Sequence, residues 1–170
     1  IDNGSFKYHD HDNLTTLQNY DFVEFHFSHS DLNYAPELKF KPEKTKFFTS
    51  HAPELFENDH LLDLANEDEK YRKKSIDFLQ KTIERTMQIK DMYNSEFKPI
   101  LVVNCGGFSK ERFLSDVEKK RRYELLSKSL EDIDHSLVKF CAQTMPPFPW
   151  HFGGQQFHNL FILPQEIKEF

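Results

Sequence analysis

Short apolar runs alternate with longer amphipathic segments along this chain, and the alternation predicts strands separated by helices. The clearest run is Asp21–Phe27 (DFVEFHF), whose period of two places Phe22, Glu24 and His26 on one face of a strand. The other runs of strand length are Gly4–Tyr8, Phe47–Ser50, Pro99–Asn104 and Val138–Gln143. The pattern therefore predicts five strands, and the continuous apolar run Pro99–Asn104 predicts a strand that is buried on both faces.

The spacing of apolar residues also predicts the helices. Apolar residues recur at helical spacing from Ile76 to Met87, and Asn66 with Glu69 three residues later gives a capping-box pattern before them. Further helices are predicted over Asp12–Asn19, over Ser115–Asp132 and from Pro164 onward. Strands that alternate with helices in this way pair in parallel through right-handed crossovers.

Two architectures fit five such units. One is a complete, doubly wound sheet of five strands, and the other is about the first five βα units of a (β/α)8 barrel, which normally needs about 250 residues. No phosphate-binding glycine fingerprint follows the first strand, so a nucleotide-binding sheet has little support. The fold class is therefore α/β, and the hydrophobic pattern leaves open the choice between sheet and barrel.

The loop after the fifth strand is rich in groups that bind ligands. In Thr144–Asn159 (TMPPFPWHFGGQQFHN), three prolines stop any regular element, while Trp150, His151 and Gln155 offer an aromatic ring and hydrogen-bonding groups. Loops at the ends of buried strands carry the sites of α/β proteins, although prolines and aromatic residues also make rigid packing loops. We favour the functional interpretation and expect these three side chains to bind substrate.

Composition narrows the class of protein. The 170 residues suit one domain, and 38% apolar with 29% charged residues is typical of a globular protein. A formal charge of −6 argues against a nucleic-acid surface, and no apolar run approaches the roughly 20 residues that span a membrane. Two cysteines make no disulfide framework and no signal-peptide pattern opens the chain, so we expect a cytoplasmic protein.

Polar residues at the carboxyl ends of the strands are the candidate site, since these ends share one face in either architecture. They include His26, His51, Asn104 and Gln143. Neutral imidazole can bind a metal or a substrate oxygen, whereas the two amides suit sugar hydroxyls and are weak metal ligands. Glu24 shares a face with His26, and that pair is either a structural hydrogen bond or a base with its orienting partner.

Five segments together resemble the sugar phosphate isomerase/epimerase superfamily, the xylose isomerase-like TIM barrels that also include endonuclease IV. The segments are DFVEFHFS (Asp21–Ser28), SHAPEL (Ser50–Leu55), DLANEDEKYRKKSI (Asp63–Ile76), ILVVNCGG (Ile100–Gly107) and PPFPWHFGGQQFHNLF (Pro146–Phe161). They cover nearly the whole chain, in the family's order. The resemblance implies that residues 1–170 form a single, partial barrel domain of about the first five βα units of a (β/α)8 barrel.

The resemblance also implies a divalent metal, Mn²⁺, Zn²⁺ or Mg²⁺, that polarises sugar oxygens at the strand ends while carboxylates move a proton between carbons. His51 matches the third-strand histidine that binds zinc in the endonuclease branch. Gln143 stands where the family usually has a metal-binding glutamate, and Asn104 where the endonuclease branch has histidine. The expected residues are His51, Gln143 and Glu24 for catalysis, His51 and Gln143 for the metal, and His26, Asn104, Trp150, His151 and Gln155 for the substrate.

Three functions follow from the resemblance and from its departures. The favoured one is a sugar or sugar phosphate isomerase/epimerase-like domain that acts on a small carbohydrate by metal-assisted proton transfer. The alternative is a degenerate, non-catalytic barrel domain that binds a carbohydrate or a partner chain, and the neutral amides of Asn104 and Gln143 favour it. A DNA-repair endonuclease is disfavoured by the negative charge. We expect no nucleic-acid or membrane partner, and either a homo-oligomer or a part of a larger chain.

Overall fold

Five strands form one parallel sheet in the computed structural model, which describes residues 22–33, 47–93, 96–149 and 156–170, with the backbone alone for residues 3–7. The strands are β1 (Asn3–Lys7), β2 (Phe22–His26), β3 (Phe47–His51), β4 (Ile100–Val103) and β5 (Lys139–Ala142). The five strands that the hydrophobic pattern predicts are therefore confirmed, with boundaries that differ by at most one residue.

The strands lie in the sheet in the order in which they occur in the chain, from β1 to β5, and every neighbouring pair is parallel. A doubly wound sheet reverses its strand order at a switch point. These five strands show no reversal, so the doubly wound alternative is wrong for this sheet. The sheet is open, and the described residues form no closed barrel.

Three helices and several short elements accompany the strands in the described ranges. The helices are α1 (Glu69–Tyr93), α2 (Asp116–Glu131) and α3 (Pro164–Glu169). Two antiparallel strand pairs join Leu55–Phe56 to His60–Leu61 and Phe108–Ser109 to Phe157–His158. Single turns of 3-10 helix cover His29–Leu32 and Glu57–Asp59. The predicted helix over Asp12–Asn19 lies outside the described residues.

One face of the sheet packs against α1 and α2. On β2, Val23 and Phe25 are fully buried while Glu24 and His26 are half-exposed, which confirms the predicted alternation. On β4, Leu101 and Val103 are buried in a cluster with residues of α1 and α2, but the alternate residues are half-exposed. The prediction that this strand is buried on both faces is therefore wrong, because the described helices cover only one of them.

The ends of the helices follow local capping chemistry. Ser115 caps α2, and the Glu118 side chain accepts the Ser115 N–H in return, as the predicted boundary requires. At α1 the carboxylate of Asp68 accepts the N–H groups of Lys70 and Tyr71, so the prediction that Asn66 caps this helix is wrong. The Asn66 side chain instead accepts the N–H of Asp68, because Asn66 lies two residues before the residue that caps the helix. None of the described helices is long and apolar enough to cross a membrane, and a cytoplasmic location stays a prediction.

Candidate functional site

Two polar residues of β2 lie opposite two polar residues of β3. The register pairs Glu24 with Thr49 and His26 with His51, on the face of the sheet that the helices leave uncovered. The carboxyl ends of parallel strands are where α/β proteins carry their sites. We call Glu24, Thr49, His26 and His51 the polar quartet.

The carboxylate of Glu24 is held at both oxygens. His26 Nε2 donates to Oε1 at 2.6 Å, and Thr49 Oγ1 donates to Oε2 at 3.1 Å. The hydrogen bond from His26 is the main reason why the pKa of Glu24 lies below its ordinary value; burial opposes it and the bond from Thr49 adds to it. Glu24 is therefore ionised at neutral pH and fixes one nitrogen of His26 as a donor.

The imidazole rings of His26 and His51 stack face to face, with centroids 4.7 Å apart and ring planes 8° from parallel. Stacking fixes the orientation of both rings. It also brings two groups that can carry positive charge close together, next to the one carboxylate of the quartet. The strand register produces the stack, because the two residues are direct cross-strand partners.

Gln143, which follows β5, reaches across β4 to His51. The distance from His51 Nε2 to Gln143 Oε1 is 3.1 Å, and His51 Nδ1 donates to the carbonyl oxygen of Ala52 at 3.0 Å. A neutral His51 with its proton on Nδ1 has a lone pair at Nε2. The Gln143 side-chain amide can donate to that lone pair if the amide is flipped, so that its NH₂ group takes the place of its oxygen. With the amide oxygen facing Nε2, His51 is the imidazolium, which donates from both nitrogens.

Asn104 lies at a strand end as predicted but is bound to a loop. Its Nδ2 donates to Glu54 Oε1 at 3.3 Å, and its Oδ1 accepts the N–H of Gly106 at 3.1 Å. Asn104 is only 2% exposed. No described contact joins Asn104 to the polar quartet. Its role in substrate binding stays a prediction, and it requires the Asn104 amide to exchange its bonds with Glu54 and Gly106 for bonds with the substrate.

The aromatic loop is described only at its two ends. Trp150, His151 and Gln155 lie outside the described residues, and their predicted roles in substrate binding stay predictions. Asn159 anchors the far end of the loop: its Nδ2 donates to the carbonyl oxygen of Gly107 at 2.7 Å, and its Oδ1 accepts the N–H of Leu114 at 2.8 Å. The loop after β5 is thereby tied to the loop after β4.

Thr49 is the member of the quartet that reasoning from the sequence did not select. A threonine in a strand is ordinary, since β-branched residues favour strands. The alternation in FFTSH does place Thr49 on the same face as His51, so a signal was present. What was missing is the pairing of β2 with β3, which alone shows that Thr49 faces Glu24.

The described residues do not fit the divalent metal that the resemblance implies. The two predicted ligands, His51 and Gln143, present donor atoms 3.1 Å apart, but the amide is a weak, neutral ligand. The nearby Glu24 and His26 are hydrogen-bonded to each other. Within the described ranges no group of three or more His, Cys, Asp or Glu side chains could hold a metal ion. Ligation by His51 and Gln143 stays a prediction.

Comparison with known proteins assigns no family to this chain. No protein-family model matches it, and no curated protein sequence matches it. A function for the chain therefore has to come from the geometry of the polar quartet and Gln143.

Proposed function

We propose that this chain is a sugar or sugar phosphate isomerase/epimerase-like domain that transfers a proton on a small carbohydrate. The observation that carries the proposal is the hydrogen bond of 2.6 Å between Glu24 and His26 on the uncovered face of the sheet. A carboxylate that accepts from one imidazole nitrogen fixes the tautomer and leaves the other nitrogen as a base. In His26 that nitrogen is Nδ1, which makes no hydrogen bond to any described residue.

In this mechanism His26 Nδ1 removes the proton from the carbon next to the sugar carbonyl. The electron pair of the broken C–H bond forms the C=C bond of an enediolate, and the carbonyl oxygen takes the negative charge. Return of the proton to the former carbonyl carbon, while the hydroxyl proton of the neighbouring carbon passes to the former carbonyl oxygen, gives the isomer. Delivery of a solvent proton to the opposite face of the first carbon, while His26 releases its proton to solvent, restores the carbonyl and gives the epimer. Glu24 stabilises the imidazolium that exists between the two proton transfers.

His51 and Gln143 are suited to the charge that develops on the oxygen. Both carry N–H groups, they lie next to the base through the His26–His51 stack, and their polar atoms are 3.1 Å apart. A sugar oxygen that replaces their mutual contact would accept a hydrogen bond from the Gln143 amide or from His51 Nε2, and donors placed at a developing oxyanion lower the barrier. A sugar also offers hydroxyl groups, which an amide such as that of Gln143 binds as donor or acceptor.

The finer fold that accompanies this function is a TIM-barrel type, to which the open parallel sheet contributes about five βα units. Its support is the strand order, because sequential parallel strands with helices on one face are the building units of such a barrel. The proposal extends to a cytoplasmic protein that forms a homo-oligomer or is part of a larger chain.

The test is proton exchange with solvent, which needs no knowledge of the product. The protein is incubated in D₂O with a panel of aldoses, ketoses and their phosphates, with EDTA and separately with Mn²⁺ or Zn²⁺, and deuterium at the carbon next to the carbonyl is followed by NMR. We expect exchange with at least one sugar, a loss of about 100-fold or more in His26→Gln, and wild-type exchange in His135→Gln. His135 is exposed and precedes β5, at the opposite end of that strand from Gln143.

A second candidate function is a non-catalytic domain that binds a carbohydrate. It is favoured by the neutral amide of Gln143 beside His51. Gln143 stands where the superfamily that the chain resembles usually has a metal-binding glutamate. Binding without chemistry gives NMR shifts at the polar quartet on addition of a sugar, with no deuterium incorporated under any metal condition. That pair of results would replace the isomerase proposal with the binding one.

A further inference from the structure

We infer that Thr49 is a positioning residue for this proton transfer: its hydroxyl holds the Glu24 carboxylate in the plane that orients His26. The inference rests on the proposed function. It assigns a role to a residue that neither the motifs nor the family resemblance selected, and it makes the cross-strand pair Glu24–Thr49 part of the site.

The two carboxylate oxygens of Glu24 accept hydrogen bonds from two different side chains. His26 takes Oε1 and Thr49 takes Oε2, so each oxygen has one donor. The last torsion of a glutamate side chain is broad and poorly fixed by its own rotamers. One hydrogen bond leaves the carboxylate free to turn about that torsion, whereas donors on both oxygens define its plane. The plane in turn sets the direction of the His26 ring.

The surroundings of Thr49 favour a fixed hydroxyl. Thr49 is buried, whereas Glu24 is only half-buried, so the hydroxyl lies on the less exposed of the two residues. Thr49 is β-branched, which restricts its first torsion and limits the directions that Oγ1 can take. The hydroxyl therefore acts as a fixed donor on the strand next to the carboxylate, and it also favours the ionised form of Glu24.

Thr49→Val and Thr49→Ser test the role, since valine keeps the shape without the hydroxyl and serine keeps the hydroxyl. The Glu24 titration is followed by ¹³C NMR and the His26 tautomer by ¹⁵N NMR. We expect Thr49→Val to raise the pKa of Glu24, to mix the His26 tautomers, and to slow deuterium exchange by about 10-fold. The acidic limb of the pH–rate profile should move to higher pH. Thr49→Ser should restore most of each property.

Thr86→Val is the matched control, because Thr86 is fully buried in α1 and donates only to the carbonyl oxygen of Thr82. It should leave the Glu24 and His26 signals unchanged. Thr49→Ala removes the same hydroxyl without added bulk, so a Thr49→Val protein that fails to fold does not end the test. Unchanged Glu24 titration and His26 tautomer in the variants without the hydroxyl would overturn the inference. If these signals move while the wild-type protein exchanges no sugar proton, the hydroxyl orients the pair but the proposed function fails.

Discussion

Ser50 lies directly opposite Leu101 in the pairing of β3 with β4, and its hydroxyl is buried without a hydrogen-bond partner among the described residues. Ser75 is equally buried, but its hydroxyl is hydrogen-bonded to His60 Nε2 at 2.8 Å and accepts the N–H of Asp63 at 3.1 Å. A buried hydroxyl costs free energy unless it is hydrogen-bonded. The two serines therefore contribute to stability with opposite signs.

We expect Ser50→Ala to leave the free energy of unfolding unchanged or to raise it by up to about 1 kcal/mol. Ser75→Ala should lower it by about 1–3 kcal/mol, because it leaves the buried N–H of Asp63 unpaired. Urea denaturation of both variants measures the difference. An equal loss in the two variants would mean that the Ser50 hydroxyl has a partner in solution.

Two glycines after β4 are required by backbone conformation and by space. Gly106 has a φ of +86°, and a Cβ there would lie 2.5 Å from the Cα of Asp63. Gly107 has a φ of +76°, and a Cβ there would meet Leu160 Cγ at 2.6 Å. In both alanine variants the left-handed backbone should lower the free energy of unfolding by about 1–2 kcal/mol. Gly106→Ala should be the less stable, because a backbone atom gives way less easily than a leucine side chain.

Thermal and urea denaturation of Gly106→Ala and Gly107→Ala check this order. The Gly107 N–H donates to the fully buried carboxylate of Asp63 at 2.7 Å, so a shifted loop also weakens that contact. The reverse order of stability would show that the loop moves freely relative to Asp63.

The acid dependence of stability should have a contribution from Glu118. Hydrogen bonds from Arg112 and then from Ser115 lower the pKa of Glu118 to about 2. A carboxyl whose pKa is lower in the folded than in the unfolded chain stabilises the fold above its ordinary pKa, and that contribution disappears as the pH falls toward about 2. We therefore expect Glu118→Gln to destabilise the protein at pH 7 and to differ progressively less from wild type below the ordinary value of 4.5.

Urea denaturation at pH 7, 4.5 and 3 measures this difference, and Glu124→Gln, an exposed position on the same helix, is the control. A gap between Glu118→Gln and wild type that stays constant with pH would contradict the prediction. The hydrogen bond from Arg112 is exposed, so high salt should narrow the gap at pH 7.

Gln143→Glu should create the metal ligand that the resemblance implies. A carboxylate would replace a neutral amide whose oxygen lies 3.1 Å from His51 Nε2, which adds both a charge and a stronger ligand for a cation. We expect the variant to bind Zn²⁺ or Mn²⁺ about 10-fold more tightly than wild type. Isothermal titration calorimetry measures the affinities, and Gln88→Glu adds the same charge at an exposed position of α1. An equal gain in both variants would mean attraction by net charge alone.

Much of the fold could be predicted because burial leaves a periodic trace in the sequence. The alternation around Phe25 identified both the strand and its buried face. The run at β4 was misinterpreted, since Ile100 and Val102 are apolar whether or not a layer covers them. The start of α1 was misplaced because Asn66 and Asp68 are both good capping residues, and only the backbone path decides between them.

The part of the site that could be predicted is the part that lies at the carboxyl ends of the strands. His26, His51 and Gln143 come together because the carboxyl ends of parallel strands share one edge of the sheet. Asn104 obeys the same rule but is hydrogen-bonded to Glu54, a residue of a neighbouring loop whose path no periodicity reveals. The contact of Thr49 with Glu24 depends on register, which a single strand does not encode.

The sequential strand order has a consequence for biosynthesis. Each strand pairs with the next strand in the chain, so a ribosome can deliver the sheet one unit at a time, each new strand docking on the one made before it. All four members of the polar quartet lie before residue 52, and β2 and β3 are synthesised long before Gln143. Glu24 and His26 can therefore form their hydrogen bond before Gln143, the partner of His51, is synthesised.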